Sequence, residues 1–127
     1  MTQASANVNV MIKAARKAAR SLLRDFGEVE NLQVSAKGPG DFVSRADINA
    51  EQLIREELTG ARPNYGWVGE ESAEAKGEDP TRRWIVDPLD GTVNFLHGLP
   101  HWSISIALEH KREMVAGVVY DPVKDEM

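Results

Sequence analysis

Trp84-Ile85-Val86-Asp87-Pro88-Leu89-Asp90-Gly91-Thr92-Val93-Asn94-Phe95 sets two carboxylates three positions apart where an apolar run meets a turn. Such a stretch reads as a strand that ends in a metal site. Carboxylates about 4 Å apart repel by roughly 4 kcal/mol at an effective dielectric near 20, so a chain that aims several at one point supplies a cation. A hard cation such as Mg²⁺ fits, because it takes oxygen ligands and accepts a backbone carbonyl among them. Upstream, Gly69-Glu70-Glu71-Ser72 follows a second short apolar run, Tyr65-Gly66-Trp67-Val68, and can bring a third carboxylate to the same place.

Outward from this stretch the apolar period changes. Val8, Met11, Ile12, Ala15, Ala18, Ala19, Leu22, Leu23 and Phe26 recur at helical spacing, with Gly27 at the stop, so a first helix is predicted from Ala6 to Phe26. Leu32 to Ala36 is a strand candidate, and Lys37-Gly38-Pro39-Gly40 reads as a mobile loop of the kind that can act as a lid. Ser44 and Asp47 resemble a capping box opening a second helix, whose apolar face is Ile48, Leu53, Ile54 and Leu58 and which ends near Thr59-Gly60. Tyr65 to Val68, Arg83 to Val86, Ser103 to Leu108 and Met114 to Tyr120 read as strands. Glu74 to Thr81 is a charged loop, His110-Lys111-Arg112-Glu113 a hairpin turn, and Val93 to Leu96 a short helix. Helices followed by strands give an α+β class, with two N-terminal helices packed on one face of a mostly antiparallel sheet.

Composition bounds the function. The 127 residues match one domain, with 20 acidic against 15 basic side chains and a net charge of −5, which argues against general nucleic-acid binding. Arg16, Lys17, Arg20 and Arg24 cluster on the first helix, on the side away from its apolar stripe, and read as a solvated face. Cysteine is absent, which excludes disulfides and thiolate metal sites and makes the cytoplasm the default compartment. No stretch approaches the roughly 20 apolar residues that span a bilayer.

Each candidate side chain has an ordinary reading beside the functional one. Glu70 and Glu71 read as exposed loop acids, and Asp87 and Asp90 as turn formers whose side chains bond local backbone. Asp47 reads as a helix cap. Thr92 follows Gly91 at a helix start, where unpaired amides favour an anion, so Gly91 and Thr92 form a candidate phosphate cradle. His97 and His101 are separated by Gly98 and Pro100, which break the helix needed to align them, and read as loop residues. Trp84 and Trp102 read as packing residues, because no basic groove accompanies them.

Taken together, Gly69-Glu70-Glu71-Ser72, Trp84 to Thr92, Asn94-Phe95, Leu99-Pro100-His101, Ser103 to Ala107, Gly117 to Pro122 and Asp41-Phe42-Val43 with Asp47 resemble the inositol monophosphatase family. The resemblance implies the N-terminal part of that family's layered αβαβα sandwich and a Mg²⁺-dependent phosphomonoesterase acting on inositol monophosphate or a similar small polyol phosphate. It assigns Glu70, Asp87 and the Leu89 carbonyl to one ion, Asp87 and Asp90 to a second, and Glu71 to a supporting position. Thr92 and Asp47 would orient the attacking water, with Glu70 as the third catalytic residue and Gly91 with Thr92 holding the phosphate. Lithium sensitivity and a homodimer at full length are further implications. Val93 departs from the second Thr usual after Asp-Gly-Thr. Family members are roughly twice this long, so residues 1–127 correspond to the N-terminal metal-binding and catalytic portion, without the later Trp-Asp motif and the specificity residues. Fructose 1,6-bisphosphate, histidinol phosphate and adenosine 3′,5′-bisphosphate stay open as substrates, as does a regulatory module that binds the transcription machinery.

Overall fold

A computed structural model describes residues 3–29 and 39–127. Helix α1 spans Gln3–Gly27 and α2 Pro39–Ala61. Strand β1 is Gly66–Gly69, β2 Arg82–Asp90, β3 Ser103–His110 and β4 Glu113–Tyr120, and the short α3, Thr92–Leu96, follows β2. The strands form one sheet in the order β1-β2-β3-β4.

The two long helices cover one sheet face. Met11, Ala14, Ala15, Ala18, Ala19 and Leu22 form the buried stripe of α1, and Val43, Ala46, Ala50, Ile54 and Leu58 that of α2. They meet Trp84, Val86, Ile104, Ile106, Leu108, Val118 and Tyr120 of the sheet in one core. The run of alanines lets α1 lie close to its neighbours, since small side chains hold the backbones near each other. Lys17 leaves the solvated basic face expected of it and bonds Glu57 of α2 at 3.1 Å, while Arg16, Arg20 and Arg24 are exposed. On the opposite sheet face Val115 and Val119 stay exposed.

Two expectations are corrected. Helix α2 begins at Pro39, so Pro39-Gly40 belong to it rather than to a loop, and Ser44 and Asp47 lie inside it rather than at its cap. Proline suits a first helical position because its missing N–H has no intrahelical partner there. The sheet is mostly antiparallel, as expected: β2–β3 and β3–β4 are antiparallel, and β1 pairs with β2 in parallel. The long connection over residues 70–81 returns the chain to the same end of the sheet, which a parallel pairing requires. Finally, β2 runs past Val86 through Asp90. The predicted strand Leu32 to Ala36 and Lys37-Gly38 of the loop lie outside the described residues.

Candidate active site

Strand β2 carries the first pair of acids. Its register sets Asp87 against Ser105 and Asp90 against Ser103, so Pro88 and Leu89 together oppose Ile104 alone. That is a β-bulge, and Pro88 accounts for it, having no N–H to give to the ladder. In a regular strand, residues three apart point to opposite faces. Here the extra residue puts Asp87 and Asp90 on the same face as Ser105 and Ser103, while Pro88 and Leu89 are buried. The turn-forming role of Asp87 persists as well, since its Oδ1 accepts the Leu89 amide at 3.2 Å.

The parallel neighbour β1 ends at Gly69 beside Val86, so Glu70 leaves the sheet next to Asp87. The two carboxyls are close enough to perturb each other. Burial raises both above the ordinary carboxylate range, and then each feels a neighbouring acid: Asp87 acts on Glu70, and Asp90 on Asp87. Asp47 comes from α2 and is only 7% exposed. Burial, followed by the charges of Glu71, Glu70, Asp87 and Glu51, pushes its carboxyl up to about 7, and its Oδ1 is buried with no hydrogen-bond partner.

Gly91 turns the chain from β2 into α3. Its φ of 94° is left-handed, and a Cβ there would lie 2.8 Å from the His101 carbonyl oxygen, so glycine is needed on both counts. Asn94 Nδ2 donates to that same carbonyl at 2.8 Å and closes the following loop, where His97 and His101 are exposed. Phe95 anchors α3: its ring sits 5.4 Å from Phe26 and 5.1 Å from Trp102. Trp84 and Trp102 are both buried, in agreement with their packing role. The Thr92 hydroxyl donates to the Leu89 carbonyl at 3.3 Å. That carbonyl keeps a second lone pair for another partner.

One residue of this site carries no signal in the motifs. Glu51, one helical turn beyond Asp47 and 3% exposed, accepts the amides of Glu70 at 2.7 Å and Glu71 at 3.0 Å on Oε1. Its Oε2 accepts the Ser72 hydroxyl at 2.8 Å, and Ser72 in turn accepts the Trp67 indole N–H at 2.9 Å. The available signal was periodicity: Asp47 and Glu51 interrupt the stripe Val43, Ala46, Ala50, Ile54 and Leu58, and acids on a buried helix face need a reason.

Among the described residues no three acids, histidines or cysteines are grouped closely enough to hold an ion as they stand. The donor chemistry nevertheless suits a hard cation. Glu70, Asp87, Asp90 and the Leu89 carbonyl offer only oxygen. The repulsion between Glu70 and Asp87 and the orphaned Asp47 Oδ1 are features that a divalent cation would relieve. No described helix is long and apolar enough to cross a membrane.

The family model for the inositol monophosphatase family matches residues 4–127. An inositol-1-monophosphatase of Rhizobium meliloti (strain 1021) is 63% identical over 123 residues, covering 97% of this chain and 46% of that protein. The Nus factor SuhB of Escherichia coli (strain K12) is 38% identical over 120 residues, covering 94% of this chain and 45% of that protein. Among solved structures, the extragenic suppressor protein suhB of Bartonella henselae superposes with a TM-score of 0.84 at 60% identity, over 95% of this chain and 47% of that one. The chain thus spans about half the length of the relatives it matches. With the match running over nearly every residue and the α+β layer shared with these structures, the chain belongs to the inositol monophosphatase family.

Proposed function

We propose that residues 1–127 supply the cation-binding and water-activating part of a Mg²⁺-dependent phosphomonoesterase that hydrolyses inositol monophosphate or a similar small polyol phosphate. The carrying observation is geometric: β1 ends beside β2 so that Glu70 leaves the sheet next to Asp87, and the bulge sets Asp90 on the same strand face as Asp87. The likeness to inositol-1-monophosphatases supports the substrate class.

Glu70, Asp87, Asp90 and the Leu89 carbonyl would hold the ions. When bound, Mg²⁺ supplies the acidity that makes water a nucleophile at neutral pH and the positive charge that stabilises the departing alkoxide. The chain does the positioning. Asp47 and Thr92 orient the attacking water, Thr92 once its hydroxyl turns from the Leu89 carbonyl. The amides of Gly91 and Thr92 receive phosphoryl oxygens. No covalent phosphoenzyme is needed, and the chain has no cysteine nucleophile.

The test is phosphate release from inositol 1-phosphate with and without Mg²⁺, comparing the 127-residue chain with the product of its whole reading frame. Mg²⁺-dependent release by the longer protein is the expected result; no release from any small phosphomonoester by either would overturn the reading. A second reading is favoured by the SuhB relatives named as Nus factors: the chain forms part of a module that acts on transcription. The two separate on a variant that lacks a cation ligand, described below.

A further inference from the structure

We infer that Glu51 is a positioning residue that grips the turn bearing Glu70 and thereby sets the affinity of the site for its divalent cation. This rests on the cation reading given above.

The Gly69-Glu70-Glu71-Ser72 turn folds around one buried carboxylate. Three donors converge on Glu51: the Glu70 and Glu71 amides on Oε1 and the Ser72 hydroxyl on Oε2. Only a carboxylate accepts on both oxygens. A glutamine of the same shape would turn its NH₂ toward the Ser72 hydroxyl, which already receives the Trp67 indole N–H and whose own proton would lose its acceptor. Gly69 completes the fit, because a Cβ there would meet Glu51 Oε1 at 2.5 Å.

A carboxylate that is 3% exposed and set beside Asp47, Glu70, Glu71 and Asp87 is a costly element, and a neutral acceptor would avoid the repulsion. Its effect is mechanical: it clamps consecutive amides, so the Cα of Glu70 is fixed relative to α2, the helix that also carries Asp47. The Glu70 ligand and the water-orienting Asp47 thereby move as one body. Without the clamp, the turn after β1 would have to be ordered by the cation itself, which lowers affinity. Outer partners of this kind are worth about 10–100-fold in metal affinity.

The experiment titrates Mn²⁺, read as free ion by electron paramagnetic resonance, into the whole-reading-frame protein and its Glu51→Gln, Ser72→Ala and Glu70→Gln variants, with thermal unfolding measured alongside. Glu51→Gln is expected to weaken Mn²⁺ binding about 10-fold while each folded molecule keeps its full number of sites. Wild-type affinity in Glu51→Gln, or fewer competent sites of unchanged affinity, overturns the proposal and leaves Glu51 a folding residue. If Glu51→Gln does not fold, Ser72→Ala decides in its place: weakened binding supports the clamp, and unchanged binding rejects it. Glu70→Gln separates the two layers of argument, since wild-type Mn²⁺ binding in that variant would remove the cation reading itself.

Discussion

Asp87 and Asp90 share a face of β2 although three positions separate them, because Pro88 and Leu89 together oppose Ile104. Beyond burial, the charge of Asp90 therefore contributes to the raised pKa of Asp87.

Asp90→Asn keeps the shape of the strand end and removes one of these charges. In the whole-reading-frame protein, Mg²⁺-dependent phosphate release should fall by more than the about 10–100-fold that accompanies loss of an outer partner. On the second reading proposed above, any pull-down of transcription components should be unaffected. Retained hydrolysis would exclude Asp90 as a ligand.

The cation-free protein should lose stability as pH rises from about 4 to about 7. Asp47 titrates at about 7 in the folded chain, against 3.8 for an ordinary aspartate such as the unfolded chain presents. Between these values the folded chain holds a proton that the unfolded chain has released. Stability is then greatest at the acid end of that window and levels off above it. Thermal melts in a chelator across the window should show this slope, Asp47→Asn should flatten it, and Mg²⁺ should raise the melting temperature most at the alkaline end.

Gly69→Ala inserts a methyl where Glu51 Oε1 would stand 2.5 Å away and the Trp67 indole nitrogen 2.8 Å away. Overpacking of this kind costs about 1–3 kcal/mol, and here it also pries the Glu51 carboxylate from the turn. Urea denaturation should report the destabilisation. An unchanged midpoint would mean that the turn and α2 separate freely.

Phe95→Ala removes the side chain that docks α3 between Phe26 and Trp102. Phe95 is fully buried, so the change should cost about 3–5 kcal/mol. Chemical denaturation measures it, and a loss below about 1 kcal/mol would show that the pocket closes over the gap.

Much of this chain was legible from residue order. The alanine-rich period of α1, the alternation Ser103-Ile104-Ser105-Ile106 and the hairpin at Lys111-Arg112 depend on neighbours a few positions away, and the helices and strands built from them are present. The candidate acids were named from the same order, as carboxylates flanking short apolar runs. Local chemistry misled at α2, where Ser44 and Asp47 look like a cap and lie inside the helix instead.

What tertiary structure alone decided concerns partners distant in the chain. Whether β1 joins β2 in parallel depends on the path of residues 70–81, and whether Asp87 and Asp90 share a face depends on the register against β3. Glu51 reads as one more helical acid until α2 docks and brings the amides of Glu70 and Glu71 within hydrogen-bonding distance, 19 and 20 positions away. Periodicity and turn chemistry act over a few residues, whereas hydrogen bonding and repulsion between carboxylates act through space, so the chemistry of the acids was written locally and their arrangement arose only from packing.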